Sequence, residues 1–367
     1  MFMFRRTLGA LLLLPGAAMA QTAAPATPPA SASPAASCAL PAIAASVEMD
    51  PVPGSKLVTV PVEINGQAKQ FLLSVGTGPT LISRATVRDL HLTDDSKLTE
   101  VFQTDKTTQP SNTETRNFTV NSSVQINMVD ARNARATDGK ARVKTSTFTI
   151  GGATGKNLAF AVANETDMAD GTPYDGILTG DFFKNYDVEM DFARMKLTYL
   201  TPNTCSDPHQ VVFWPHSDVA IIPMDLASGK IQVEVEIGGH KIEAILDTGS
   251  PRTIMRRDVA ESTVGLEAGS PKMPPVEGLR DGKDMQVYTA TFPRIAFAGG
   301  VTALNVPALI QSNSMAHNTH KEPMLGSKAM FKADPRIPAL TLGMDVLRQL
   351  HIYVVYGQNN LYMTAAD

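Results

Sequence analysis

The sequence is poor in cysteine and in aromatic residues. Among its 367 residues are two cysteines and one tryptophan, and aromatic side chains make up 6% of the total. This composition excludes a small disulfide-rich scaffold and leaves too few cysteines for a zinc cluster built on them. No phosphate loop or dinucleotide-binding fingerprint occurs either. The sequence therefore predicts neither a metal nor a cofactor.

Charge of one sign is not concentrated anywhere in the chain. There are 32 basic and 36 acidic residues, which give a net charge of −4, and no basic block stands out. Nucleic-acid-binding domains and proteins that bind anionic membranes usually show such a block. The sequence thus predicts no nucleic-acid partner.

The one long apolar run lies close to the first residue. It covers residues 8–14, follows Arg5 and Arg6, and precedes the small-x-small pattern of Ala18 and Ala20. This layout is typical of an export signal over residues 1–20, although a buried first helix would also contain such a run. The run is too short to span a bilayer, so we expect no membrane span. A periplasmic or secreted protein is predicted, and the paired arginines hint at twin-arginine export.

Composition also divides the rest of the chain. Residues 21–49 begin with Ala, Pro, Ser and Thr and are predicted to be a flexible tether. More than 300 residues follow, which exceeds the usual size of one core and predicts two domains. We place a first lobe at 50–202, a linker with several prolines at 203–218, and a second lobe at 219–367.

The two cysteines, Cys38 and Cys205, precede the first lobe and follow it. In an oxidising compartment such a pair favours a disulfide, which would tie the start of the first lobe to the linker. Two unpaired buried thiols are the alternative.

The chain repeats itself. Residues 62–84 and 235–257 align without a gap and are identical at 8 of 23 positions, where average composition gives about one or two. Apolar residues alternate before both Asn65-Gly66 and Gly238-Gly239, which predicts strands joined by tight hairpin turns. Short helices are predicted at 84–90, 257–263 and 345–350. Both repeats close with an apolar segment around an Asp, Asp181 in one and Asp345 in the other.

Each repeat carries a loop directly after its second strand. In the second repeat the loop consists of Asp247, Thr248, Gly249 and Ser250. The corresponding residues of the first repeat are Ser74, Val75, Gly76 and Thr77. Asp-Thr-Gly alone is weak evidence, since Asp and Gly are common in ordinary turns. The apolar strand before it and the distal Leu342-Gly343-Met344-Asp345 segment make the pattern specific.

These segments resemble the retropepsin-like and pepsin-like aspartic proteases, whose lobes carry Asp-Thr-Gly-Ser/Ala and, later, apolar-Gly-x-Asp. The resemblance covers residues 50–367. It implies an all-β, two-lobed acid-protease fold made of two duplicated retropepsin-like β-barrel lobes, with each loop facing the other lobe. It also implies that Asp247 is catalytic, that Thr248 braces the paired loops, and that Gly249 lets the backbone turn close to the carboxylate.

Ser74 departs from this family at the position where the second carboxylate belongs. The family's chemistry needs two Asp side chains that share one proton, one activating water and the other polarising the scissile carbonyl. A serine hydroxyl is neither acid nor base near neutral pH. Without a like-charged neighbour, we expect Asp247 to titrate like an ordinary carboxylate.

Two functions follow from the resemblance. The first is an exported aspartic endopeptidase homologue that hydrolyses peptide bonds by carboxylate-activated water, with Asp247 as the retained catalytic residue and a peptide or protein as substrate. A homodimer that pairs two second lobes would supply an Asp247–Asp247 dyad. The alternative is an inactive pseudoprotease that binds extended peptides in the interlobe cleft.

Two further patterns have open interpretations. Hairpin turns at 138–140 and 281–283 precede strand-like segments and are candidate flaps over a bound peptide, or plain surface hairpins. His317 and His320 have the spacing of a metal-binding pair but lack a third ligand, and a solvated loop is the preferred interpretation.

Overall fold

The computed structural model describes most of the chain from residue 38 onwards. The described residues are 38, 40–75, 79–93, 115–119, 125–129, 141–164, 167–168, 171–183, 186–205, 207, 210–216, 219–226, 230–280, 285–312 and 338–366. The predicted export signal, Gly76 and Thr77, both candidate flap turns, and His317 and His320 lie outside these residues.

The described chain is mostly β-structure, as predicted. The strands of its first half are β1 (Ile43–Glu48), β2 (Asp50–Pro51), β3 (Val58–Ile64), β4 (Gln67–Ser74), β5 (Leu81–Ile82), β6 (Thr115–Thr119), β7 (Gln125–Val129), β8 (Arg142–Ile150), β9 (Ala153–Val162), β10 (Gly176–Thr179), β11 (Asp187–Asp191) and β12 (Lys196–Leu200). Those of its second half are β13 (Ala220–Pro223), β14 (Gln232–Ile237), β15 (His240–Leu246), β16 (Thr253–Arg256), β17 (Pro275–Arg280), β18 (Gln286–Phe297), β19 (Thr302–Gln311), β20 (Leu340–Leu342), β21 (Leu350–Val355) and β22 (Asn360–Ala365).

Each half contains a closed barrel of six strands. In the first lobe the order is β3-β4-β10-β5-β9-β8, and β8 pairs back to β3. In the second lobe the order is β14-β15-β20-β16-β19-β18, and β18 pairs back to β14. The two barrels have the same order of repeat-related strands, so the internal duplication is a duplication of structure.

A shared sheet joins the two lobes. Its order is β1-β12-β11-β21-β22-β13, and the boundary between the lobes is the antiparallel pair β11–β21, with Val188 opposite Val354. The alternating tails of both repeats thus pair with each other. Hydrogen bonds across this boundary join strands from both lobes into one sheet.

The hairpins at the start of each barrel have the predicted turns. Asn65 and Gly66 have φ of 52° and 80°, and Gly238 and Gly239 have φ of 60° and 84°. Two successive left-handed residues match the right-handed twist of the flanking strands, which favours Asn and Gly there. The turns fix the register of β3–β4 and of β14–β15, and therefore the positions at which β4 and β15 end.

The barrel interiors differ in composition. The first is centred on four phenylalanines in edge or tilted contact, with ring centroids 5.1 to 6.5 Å apart. They are Phe71, Phe148, Phe160 and Phe182. The second is filled mostly by aliphatic side chains, among them Ile237, Leu246, Met255, Ile310 and Leu342. Each buried side chain of this kind stabilises the fold by about 1.5–3 kcal/mol, and these packed interiors hold the loops at the strand ends.

Four short α-helices are described, and three of them lie where helices were predicted. They are α1 (Arg84–Asp89), α2 (Gly180–Phe183), α3 (Arg257–Ser262) and α4 (Met344–Leu347). Helix α4 ends earlier than predicted because β21 begins at Leu350. In the described part of the chain, no helix combines the length and apolarity needed to cross a bilayer.

Candidate active site

The first-repeat and second-repeat loops leave their barrels at equivalent points. Strand β4 ends at Ser74, which is level with Thr179 on the parallel strand β10. Strand β15 ends at Leu246, level with Leu342 on the parallel strand β20, and the next amide, that of Asp247, donates to the Leu342 carbonyl at 3.0 Å. Ser74 and Asp247 are therefore matched in three dimensions as well as in sequence.

Ser74 and Asp247 touch each other across the lobe boundary. The Ser74 hydroxyl donates to Asp247 Oδ1 at 3.2 Å, and the Gly249 amide donates to the same oxygen at 2.8 Å. Ser74 is buried, with 1% of its surface exposed. A neutral hydroxyl thus lies where the family places its second carboxylate.

Thr248 bridges the lobes through its hydroxyl. The hydroxyl donates to the Leu73 carbonyl at 2.9 Å and accepts from the Val75 amide at 3.1 Å, both in the first lobe. Thr248 is completely buried, so these hydrogen bonds are shielded from water. Val75 has no hydroxyl and does not return the pair of bonds. These interlobe hydrogen bonds are therefore made from the second lobe only.

Gly249 is close to Ser74 in space. A Cβ at position 249 would lie 2.2 Å from the Ser74 Oγ and 2.8 Å from its Cβ. Any side chain larger than hydrogen would push the loops apart. The glycine is therefore needed for close contact between the two lobes.

Asp345 anchors the far side of the Asp247 loop. Its carboxylate accepts from the Thr253 amide at 2.9 Å and from the Thr253 hydroxyl at 2.7 Å. The Thr253 hydroxyl in turn accepts from the Gly343 amide at 3.3 Å. In the first lobe the Thr80 hydroxyl accepts from the Thr179 amide at 3.2 Å in the same way. The residue types were visible in both repeats, but their mutual contact was not predicted.

The pKa of Asp247 does not follow the prediction of an ordinary carboxylate. Burial raises the pKa of Asp247, and hydrogen bonds from Gly249 and Ser74, with the charge of Lys230, lower it only in part. The prediction was wrong because it considered only the absence of a like charge. Desolvation by burial also disfavours the ionised form, and it does so without any charged neighbour.

An open groove of about 690 Å³ lies at the junction of the lobes, where the Asp247 loop ends. This interlobe groove is lined by Gly54, Ser55, Lys56, Pro251, Arg252, Thr289, Pro307, Ala308, Leu309 and Asp345. A second cavity, of about 670 Å³, opens on the second barrel beside Gly238 and Gly239 and includes no residue of either loop. The lining of the interlobe groove begins at Pro251, directly after the Asp247 loop.

The predicted disulfide is present between Cys38 and Cys205. It packs in a small apolar cluster with Leu200 and Val211, against strands β12, β21 and β22 of the shared sheet. The alternative of two unpaired thiols is excluded. Within the described ranges, no three His, Cys, Asp or Glu side chains converge as metal ligands.

Comparison with known families agrees with this geometry. Residues 233–353 match the family model described as aspartyl protease. The matched residues run from β14 into β21 and include the Asp247 loop and Asp345. The second lobe thus matches the aspartyl protease family over these residues, and the chain has the two-lobed, retropepsin-like fold that was predicted, with one closed six-stranded barrel in each lobe.

Solved structures align with the chain over different lengths. Conglutin gamma, a basic 7S globulin from lupine seeds, aligns at TM-score 0.44 and 11% identity over 88% of this chain and 95% of that one. Basic 7S globulin from soybean aligns at TM-score 0.42 and 9% identity, over 88% of this chain and 95% of that one. A retropepsin-like aspartic protease from Rickettsia conorii aligns at TM-score 0.27 and 14% identity, over 41% of this chain and 95% of that one. No curated protein matches the chain.

Proposed function

We propose that this protein is an aspartic-protease relative that binds extended peptide segments in the cleft between its lobes and does not hydrolyse them at an appreciable rate. The observation that carries the proposal is the contact between the Ser74 hydroxyl and Asp247 Oδ1 at 3.2 Å. The hydroxyl occupies the position of the second carboxylate, and it does not ionise near neutral pH as a carboxyl group does.

The chemistry of two carboxylates explains why this contact matters. One carboxylate takes a proton from water while its protonated partner donates to the scissile carbonyl. Asp247 can take one of these roles at a time, and Ser74 cannot take the other as an acid. Loss of one member of a catalytic pair typically lowers the rate by several orders of magnitude, whereas peptide binding draws on the whole cleft.

Slow hydrolysis through Asp247 alone is the second candidate. It is favoured by the burial of Asp247, which raises the pKa of its carboxyl towards the range where a general base is effective. The hydroxyl of Ser74 would orient the carboxylate or hold the attacking water. In this case the protein is an aspartic endopeptidase with Asp247 as its catalytic residue.

A homodimer that pairs two second lobes would first have to separate the lobes of each chain. The Thr248 hydroxyl would lose Leu73 and Val75, and the β11–β21 pairing would restrict the movement of the second lobe. The contacts within the chain therefore favour a cleft formed by one molecule.

Export to the periplasm or out of the cell is part of the proposal. The Cys38–Cys205 disulfide supports it, since such bonds persist in oxidising compartments.

The proposal is tested by measuring binding and cleavage on the same peptides. A library of fluorescently labelled extended peptides is incubated with the wild-type protein and with Asp247→Asn from pH 3 to 7. Anisotropy reports binding, and mass spectrometry reports products. We expect saturable binding by both proteins and no product above the protein-free blank.

Cleavage by the wild type that disappears in Asp247→Asn would establish the second candidate instead. Absence of binding to every peptide would contradict both candidates. A variant with Gly357→Ala is the matched control for handling and folding, because a Cβ at position 357 meets no atom within 4 Å.

A further inference from the structure

The interlobe groove contains two cations, one from each lobe. Lys56 lies in the turn between β2 and β3, and Arg252 follows the Asp247 loop. We propose that this groove is a subsite for an acidic side chain of the bound peptide, with Lys56 and Arg252 as the residues that determine the charge preference. The inference rests on the proposed peptide-binding function and specifies which peptides the cleft selects.

The backbone of Arg252 is fixed on both sides while its side chain faces solvent. The Ser250 hydroxyl donates to the Arg252 carbonyl at 2.7 Å, and the next residue, Thr253, is held by Asp345. A Cβ at Gly343 would lie 2.3 Å from the Arg252 carbonyl oxygen, so the helix α4 segment packs directly against this peptide unit. Arg252 itself is exposed. The backbone that carries the guanidinium is thus held in place, which lowers the backbone entropy lost when Arg252 binds a partner.

Lys56 is held in a similar way from the first lobe. Its turn is closed by the Val52 amide donating to the Leu57 carbonyl at 2.9 Å and by the Ser55 amide donating to the Val52 carbonyl at 3.1 Å. The Ser55 hydroxyl accepts from the Leu57 amide at 3.2 Å. The turn therefore has a defined shape, and the Lys56 side chain is exposed at its tip.

The charges of the groove favour an anion. Among the described residues, neither Lys56 nor Arg252 forms an ion pair. The one carboxylate in the lining, Asp345, already accepts two hydrogen bonds from Thr253 and is 8% exposed. Two unpaired cations facing one occupied carboxylate leave a positive local potential, which attracts a carboxylate ligand over about 10 Å at 0.1 M salt.

The groove is within reach of a peptide bound at Asp247. Arg252 follows Asp247 by five residues, so the two Cα atoms are separated by at most about 18 Å. An extended peptide advances about 3.3 Å per residue. An acidic residue within about five positions of the peptide bond nearest Asp247 would lie within this distance of Arg252, and Pro307 and Leu309 of the lining would supply apolar contact for its stem.

The experiment uses the full chain and a peptide scan. One Glu is moved through a neutral, fluorescently labelled dodecapeptide, and each peptide has a Gln-containing match. Binding is measured by anisotropy at 50 and 500 mM NaCl for the wild type and for the Lys56→Gln/Arg252→Gln double variant. Lys241→Gln is the control, since it removes an exposed cation that pairs with Glu234 at the far end of β15.

We expect the wild type to bind Glu over Gln about three- to tenfold more tightly at one scan position and to lose most of this preference at high salt. The double variant should bind both peptides within about twofold, and Lys241→Gln should behave like the wild type. Equal binding of Glu and Gln peptides at every position would overturn the subsite while leaving peptide binding intact. A preference that survives in the double variant would overturn the assignment to Lys56 and Arg252. If no peptide binds, the proposed function fails together with the subsite.

Discussion

At the scale of single residues, the Thr248 hydroxyl links the two loops through the Leu73 carbonyl and the Val75 amide. Replacing Thr248 with Val keeps the shape and removes both hydrogen bonds, which leaves two backbone groups without this partner in a buried interface. Each such group costs about 1–3 kcal/mol, so we expect Thr248→Val to lower the free energy of unfolding by about 2–6 kcal/mol. Urea denaturation at pH 7 measures the change.

Thr291→Val is the matched control for this substitution, because Thr291 is exposed on β18. It should change stability by less than about 0.5 kcal/mol. If Thr248→Val were as mild as Thr291→Val, the bridge would not contribute to the pairing of the lobes. Val75→Thr, which supplies the missing hydroxyl, should be tolerated in the same assay.

The Ser74 hydroxyl also affects the titration of Asp247. Its hydrogen bond lowers the pKa of Asp247 against the larger effect of burial. Ser74→Ala should therefore raise the pKa of Asp247 further, as followed by the ¹³C resonance of the Asp247 carboxyl between pH 3 and 8. The Asp247→Asn variant identifies the resonance. An unchanged or lower pKa in Ser74→Ala would contradict the contact.

At the scale of elements, strand β11 carries two buried carboxylates, Asp187 and Asp191. Their pKa values are shifted in opposite directions, so their contributions to stability change with pH in opposite ways. Burial raises the pKa of Asp187 to about 6, and hydrogen bonds from Asn203, Tyr356 and Tyr353 lower it only in part. Burial also raises the pKa of Asp191, but hydrogen bonds from Arg194 and the charge of His351 outweigh it and leave that pKa below its ordinary value. The two groups therefore affect stability in different ranges of pH.

The raised pKa of Asp187 determines whether its contribution to stability grows or falls with pH. Between about pH 4 and 6 the folded state binds more protons at Asp187 than the unfolded state, so its contribution to stability is present below pH 4 and is lost as the pH rises through about 6. Asp187→Asn should remove this slope. The difference in unfolding free energy between pH 4 and 7 should change by about 2 kcal/mol relative to wild type.

Asp191→Asn is the control, because the pH dependence expected of the Asp191 contribution is opposite to that of Asp187. The contribution of Asp191 is present above its unfolded pKa and is lost as the pH falls through its lowered folded pKa. This variant should therefore lose stability at pH 7 and lose less in acid. Urea titrations from pH 2 to pH 7 on both variants cover the range in which each carboxylate titrates and so separate the two. Equal slopes in the two variants would contradict the assignment.

Elements with local signals were predicted well from the sequence. Asn65-Gly66 and Gly238-Gly239 carry their turn geometry in their own residue types, and the repeat aligned Ser74 with Asp247, which the fold brings into contact. The raised pKa of Asp247 was missed because burial depends on the packing of distant segments. The role of Asp345 had a sequence signal, since Thr80 and Asp181 recur as Thr253 and Asp345, but their separation hides the contact.

At the scale of the whole molecule, the Cys38–Cys205 disulfide closes a covalent loop across 167 positions of sequence. Loop closure restricts the unfolded chain, and removing such a bond typically costs about 2–4 kcal/mol. Replacing both cysteines with serine should lower the unfolding free energy by this amount. Wild-type protein treated with a reductant should match the double variant. A variant as stable as the oxidised wild type would show that the disulfide does not limit unfolding.

The sequence did not reveal how the lobes are joined, nor that the end of the predicted tether, 21–49, forms strand β1 and pairs with β12. The alternating tails of both repeats predicted strands, but nothing local indicates that Val188 lies opposite Val354 in one sheet. Pairing between distant strands is decided by complementary faces and by the turns elsewhere in each lobe. This shared sheet explains why Ser74 and Asp247 meet within one chain.

The most direct test of an aspartic-protease cleft disarmed at Ser74 is to restore the motif. The double variant Ser74→Asp/Val75→Thr gives the first loop a carboxylate and a bridging hydroxyl, and two adjacent carboxylates share a proton in acid. Peptide cleavage at pH 3 to 6 is measured for the wild type, for this variant, and for this variant with Asp247→Asn added. We predict cleavage by the double variant alone, at least about 100-fold above the wild type. Cleavage by the wild type at a comparable rate, or cleavage that survives Asp247→Asn, would contradict the claim that Ser74 disarms the cleft.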